Sequence, residues 1–131
     1  MNRVTLSFLI ALFIISACAN INKVDLKLSW AFESYEDAEF ITRTKIYLIQ
    51  NENKNFIAEA EGNFSEVSRN LYAQELIPDD AIIACSGFWA GLQKTFYVVL
   101  KNKQLEIYEG QFDSEGDAPR TFSKFNVLEI R

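Results

Sequence analysis

The stretch that decides the fold is Val24-Asp25-Leu26-Lys27-Leu28-Ser29-Trp30-Ala31-Phe32. Val24, Leu26, Leu28, Trp30 and Phe32 alternate strictly with Asp25, Lys27, Ser29 and Ala31. Successive side chains of a strand point to opposite faces, so a period of two puts one face in a core and the other in water. The polar residues Ser34 to Asp37 read as the turn that follows. Next comes Phe40-Ile41-Thr42-Arg43-Thr44-Lys45-Ile46-Tyr47-Leu48-Ile49, rich in β-branched and aromatic residues, with Phe40, Ile46 and Leu48 on one face. Asn51-Glu52-Asn53-Lys54-Asn55 is a loop, because Asn accepts positive φ and caps turns with its side chain. Beyond it Phe56, Ala58, Ala60, Gly62 and Phe64 share a face opposite Ile57, Glu59 and Glu61. This predicts a hairpin pairing roughly 39–50 with 56–64.

The remaining chain continues in the same manner. Ser65 to Leu76 fits either a short helix, with Val67 and Leu71 four apart, or an edge strand. Pro78-Asp79-Asp80 ends it. Ala81 to Ala90 is apolar on both faces and predicts a central strand covered on both sides. Thr95 to Lys101 is a further strand, Asn102-Lys103 a two-residue turn, Gln104 to Phe112 a strand, and Thr121 to Ile130 the last. Residues 23–131 therefore read as a single all-β domain, a small antiparallel barrel or sandwich of about seven to eight strands.

Ahead of this domain lie a basic start, Met1-Asn2-Arg3, and an apolar run from Val4 to Ile15, followed by Ile15-Ser16-Ala17-Cys18. That order is an export signal. Ile-Ser-Ala-Cys resembles the lipobox of bacterial lipoprotein precursors. The resemblance implies cleavage before Cys18 and lipidation of its sulfur, with 1–17 as signal peptide and 18–22 as lipidated tether. It also implies a cell-envelope location, at the outer membrane where the host has two membranes, since Ala19 rather than Asp follows the cysteine. The residues themselves leave two other readings open. Ala17-Cys18-Ala19 also fits an ordinary cleavage site that releases a soluble exported protein. An uncleaved helix is short of the ~20 apolar residues a bilayer needs.

Cleavage before Cys18 leaves 131 − 17 = 114 residues, carrying 12 basic and 18 acidic side chains and a net charge of 12 − 18 = −6. Such a domain repels phosphate backbones, so nucleic acid is not an expected partner. It offers no basic patch to a membrane either, which leaves the lipid on Cys18 as the attachment. With Cys18 acylated, Cys85 is the lone thiol, expected to be buried within Ala81-Ile82-Ile83-Ala84-Cys85. The chain has no histidine. This removes the commonest general base and zinc ligand, and every Ser-His or Cys-His pair.

The acidic groups Glu36-Asp37-Glu39 and Asp79-Asp80 read as surface turns, because sequence neighbours do not face each other across a cleft. Asp113-Ser114-Glu115-Gly116-Asp117 lacks the twelve-residue calcium-loop pattern and reads as a solvated loop. No catalytic residue, metal site or cofactor is expected. The suggestive segment is Ser86-Gly87-Phe88-Trp89-Ala90-Gly91. If it is strand throughout, Gly87, Trp89 and Gly91 point the same way, and Trp89 lies over the glycines or leaves a slot for a ligand ring. Trp89, Gly87, Gly91 and Phe88 are thus the candidate binding residues, with a bend at a barrel corner as the structural alternative. Trp30 belongs to the core. The functional expectation is a non-enzymatic envelope lipoprotein that binds another envelope protein, a glycan or a secreted enzyme that it inhibits. The alternatives are a carrier of a small apolar ligand, with Ala58, Ala60 and Gly62 lining a barrel cavity, and a soluble exported protein or enzyme.

Overall fold

The computed structural model describes residues 26–113, 116 and 120–131. The segment 1–17, Cys18 and its tether, and Lys23, Val24 and Asp25 lie outside the described residues, as do Ser114, Glu115 and 117–119 of the acidic loop. Eight strands follow one another: β1 (Leu28–Glu36), β2 (Thr42–Gln50), β3 (Asn53–Glu61), β4 (Asn63–Glu66), β5 (Ala81–Trp89), β6 (Leu92–Lys101), β7 (Gln104–Asp113) and β8 (Ser123–Glu129). They form two antiparallel meanders, a small sheet ordered β1-β2-β3 and a large one ordered β4-β5-β6-β7-β8. Among the described residues no ladder joins β3 to β4 or β8 to β1, so the expected all-β architecture is a sandwich rather than a closed barrel.

Tight turns set the registers. Asn51 and Glu52 have φ of 47° and 76°, Ala90 and Gly91 of 51° and 81°, and Asn102 and Lys103 of 52° and 60°. Positive φ at both central residues is type I′ geometry, whose twist matches that of the flanking strands. The expected loop at 51–55 is therefore two residues long, and β3 begins at Asn53.

Three local expectations change. β1 continues to Glu36, because the Ser34 and Thr44 hydroxyls bond at 2.8 Å and the Tyr35 hydroxyl donates to Glu59. The turn moves to 37–40, where the Asp37 carboxylate accepts the amides of Glu39 at 2.8 Å and Ile41 at 3.0 Å. Phe40, expected on the core face, sits in that turn at φ 63° and is 80% exposed. A bulge between Ile46 and Tyr47 pairs Tyr47 with Phe56 but Ile46 with Ala58, so Ile57 turns inward and Phe56 outward. The helix considered at 65–76 is a single 3-10 turn, Arg69–Leu71, after the edge strand β4.

The core has two layers. Between the sheets, Ile46, Leu48, Ala58 and Ala60 pack against Phe64, Ile83, Cys85, Phe96, Val98 and Ile107. Phe32, Phe64, Phe96 and Phe125 form a chain of ring contacts at 6.5, 6.2 and 5.8 Å. A second cluster on the outer face of the large sheet joins Ala81, Ala84, Tyr97 and Val99 to Val67, Tyr72 and Ile77 of the connecting segment. Arg69 pins that segment by donating to the carbonyls of Ala81 at 2.8 Å and Asp79 at 3.2 Å. β5 is accordingly covered on both faces, as its composition predicts.

Candidate functional site

The two ends of the sandwich differ. At the proximal end, where the chain enters β1, the backbone of Lys27 meets Asn51 at 3.2 Å. There the fully buried Gln50 accepts the Arg131 amide at 2.6 Å and donates to the Glu129 carbonyl at 3.0 Å. This side chain does the work of a missing backbone ladder and fastens the end of β8 to the small sheet. At the distal end β3 turns into β4 through Gly62, at φ 99°, and passes so close to β5 that a Cβ there would overlap the Phe88 carbonyl.

Beside Gly62 the sheets part around an open cleft of about 360 Å³. The small sheet contributes Arg43, Glu59, Ala60 and Glu61; the large sheet contributes Trp89, Leu92, Lys94 and Gln111. The volume lies toward the lower end of the ~300–1,000 Å³ typical of ligand pockets. Trp89, at the end of β5, is half-buried, and among the described residues no ring stacks against it. It is thus unlike the phenylalanines of the interior, which pack on one another.

The cleft's charges are held in pairs. Arg43 and Glu61 are register partners on β2 and β3, 3.8 Å apart at their side chains, and Arg43 Nε donates to Asp37 at 2.8 Å. That bond from Arg43, together with the Ile41 and Glu39 amides, holds the Asp37 carboxyl below the usual range. Lys94 lies 3.6 Å from Glu109. Glu59 accepts the Tyr35 hydroxyl, which pushes the Tyr35 phenol up.

Of the four candidate binding residues, Trp89 alone lines the cleft. The space above Gly87 is filled by the Phe64 ring, which a Cβ would meet at 2.7 Å, so Trp89 does not lie over that glycine. Gly91 is not in the strand; with Ala90 it makes the β5–β6 turn, and Trp89 pairs directly with Leu92. Phe88 points to the opposite face of β5 and is 58% exposed. Arg43, Glu59, Glu61, Lys94 and Gln111 did not stand out in the sequence. The signal available was cross-strand pairing, since the predicted hairpin already brings residues near 43 opposite residues near 61. Glu36-Asp37-Glu39 and Asp79-Asp80 occupy opposite ends of the sandwich, and among the described residues no cluster of carboxylates and cysteine could hold a metal ion.

A second groove of about 390 Å³ runs over the outer face of the large sheet between Asp80 and Lys101. Its floor is Tyr97 and Tyr108, which already stack on each other at 5.0 Å, with the Phe122 ring edge-on to Tyr97 at 4.8 Å. Cys85 is free and fully buried, and burial pushes its thiol well above the ordinary range, which leaves it inert. Among the described residues no helix is long and apolar enough to cross a membrane. No family model, no curated protein and no solved structure matches the chain.

Proposed function

We propose that this protein is a lipid-anchored binding module of the cell envelope and that the distal cleft around Trp89 is its binding site. The observation that carries the reading is the placement of that cleft. Its half-buried, unstacked tryptophan lies at the end of the sandwich opposite the point where the chain leaves for Cys18. With a rise of ~3.4 Å per residue, Arg43 lies about 24 Å along β2 from Gln50. A tether of residues 19–22 reaches at most about 14 Å from a lipidated Cys18. The proximal end is then held near the bilayer and the cleft is directed away from it. Two acyl chains give the stable attachment that one does not.

Binding within the sandwich, as a carrier of an apolar ligand requires, is less well supported. Of the residues expected to line such a cavity, Ala58 and Ala60 pack into the same cluster as Phe96 and Ile107, and Gly62 lies against the Phe88 carbonyl. Two measurements test the proposal. Intact mass of the mature protein is expected to show cleavage before Cys18 plus acyl chains. Trp89→Ala is expected to fold, with unchanged far-UV circular dichroism, yet to lose retention on solubilised envelope material. A non-acylated mature chain refutes the anchor, and a folded Trp89→Ala that binds normally refutes the site.

A further inference from the structure

The lining of the cleft is specific enough to indicate what chemical class it takes, granted that the cleft is the binding site. We infer that the distal cleft binds an uncharged carbohydrate, one sugar ring lying on the Trp89 indole while its hydroxyls meet Arg43, Glu59, Glu61 and Gln111.

Three observations converge. First, the lining charges cancel: Arg43 and Lys94 against Glu59 and Glu61. Each also has a partner within the protein: Arg43 with Asp37 at 2.8 Å, Glu61 with Arg43 at 3.8 Å, Lys94 with Glu109 at 3.6 Å, and Glu59 with the Tyr35 hydroxyl. With Asp37 and Glu109 included, carboxylates outnumber the two cations, so an anionic ligand is repelled, and any ionic ligand has to break an existing pair to make its own. Paired charges that lose a partner without replacement are costly when desolvated.

Second, the pairing leaves unused hydrogen-bonding capacity on planar groups. A guanidinium has five N–H donors, a carboxylate about four acceptor sites, and a glutamine amide both kinds. Arg43, Glu59, Glu61 and Gln111 therefore offer donors and acceptors side by side on the rim. A sugar hydroxyl donates and accepts at once and matches such a mixed rim. Charge-assisted bonds to Arg43, Glu59 and Glu61 are stronger than neutral ones.

Third, Trp89 supplies a flat apolar surface that no ring among the described residues stacks against. Pyranose rings expose a patch of C–H groups on one face with hydroxyls around the edge, which matches an indole surrounded by polar side chains. The openness of the site at the end of the sandwich suits an internal or terminal unit of a chain rather than an engulfed small molecule.

The test is a heteronuclear NMR titration of the full chain in a detergent without sugar headgroups. The probes are neutral β-linked hexose and N-acetylhexosamine tetrasaccharides, a tetrauronate, and an uncharged tetrapeptide. The expected result is a saturable shift of the Trp89 indole N–H with a neutral tetrasaccharide while the Trp30 indole stays in place. Trp89→Ala is expected to weaken that affinity by about tenfold or more, as loss of an aromatic platform implies, and Gln111→Ala by about threefold to tenfold, as loss of one neutral hydrogen bond implies. Tighter binding of the tetrauronate or of the peptide overturns the inference, as does no shift with either neutral sugar. If the sugars fail while Trp89→Ala still loses retention on envelope material, the binding module stands and the carbohydrate falls. If Trp89→Ala loses neither, both fall.

Discussion

Replacing Gly62 by alanine attacks the joint between the two sheets, and its cost is worked out from two features. The backbone there has φ 99°, which side-chain-bearing residues rarely adopt. Such a conformation costs about 1–3 kcal/mol. The added Cβ also overlaps the carbonyl oxygen of Phe88, a backbone atom of a paired strand that cannot rotate away, and lies 3.4 Å from the Trp89 Cβ. Relieving that overlap requires β4 to move off β5 or the corner to open, adding ~1–2 kcal/mol on the scale of overpacked sites. Against this, alanine restricts the unfolded chain and returns about 0.4–1 kcal/mol. The net loss is about 2–4 kcal/mol, out of the ~5–15 kcal/mol usual for a domain. The variant should fold but melt roughly 10–30 °C lower, taking ~4–8 °C per kcal/mol for a small domain. Urea denaturation followed by circular dichroism and by tryptophan fluorescence measures it. A loss below about 1 kcal/mol would refute the account of the corner.

Other expectations concern buried polar groups, the thiol and acid. Thr95 is fully buried and its hydroxyl has no hydrogen-bond partner among the described residues, so Thr95→Val should be neutral or raise stability by up to ~1 kcal/mol as read from the urea midpoint; a clear destabilisation would show that the hydroxyl is satisfied. Cys85 should be alkylated only as fast as the whole domain unfolds, and rapid labelling of the folded protein, read by mass, would contradict its burial. Hydrogen bonds lower the carboxyls of Asp37 (from Arg43), Glu33 (from Lys54) and Glu106 (from Lys124). Their stabilisation is present above the unfolded values of about 4 and is lost as pH falls through the lowered folded values. The urea midpoint should therefore fall below about pH 4.5, less steeply in Asp37→Asn; parallel curves for the two proteins would rule out the Asp37 contribution.

Strand existence was legible because the strands bury apolar faces: period two in Leu28, Trp30 and Phe32 records burial of one face, and the apolar runs of β5 and β6 record burial of both. The departures all involve forces that act across the chain. The bulge at Ile46 and Tyr47 inverts Phe56 and Ile57, and a one-residue insertion leaves no mark in a local pattern. β1 outlasts its apolar run because Ser34 and Tyr35 find polar partners on β2 and β3. Ala90-Gly91 looked like continued strand because alanine rarely takes the positive φ of a two-residue turn. At the candidate site Trp89 was visible by its chemistry. Its neighbours were not, because Arg43, Glu61, Lys94 and Gln111 come from four strands and meet only where the sheets part.

The central claim is that a lipid-anchored chain holds its Trp89 cleft away from the bilayer. The most direct measurement uses variants of the full chain that each add one exposed cysteine, Phe88→Cys at the distal end and Leu100→Cys at the proximal end. Both positions are exposed, at 58% and 49%, while the native Cys85 is buried and does not compete for label. Each variant carries a fluorophore, and the protein is bound to vesicles containing a headgroup-linked nitroxide quencher. The account predicts strong quenching at position 100 and little at position 88. Equal quenching at both positions, or stronger quenching at 88, would contradict it.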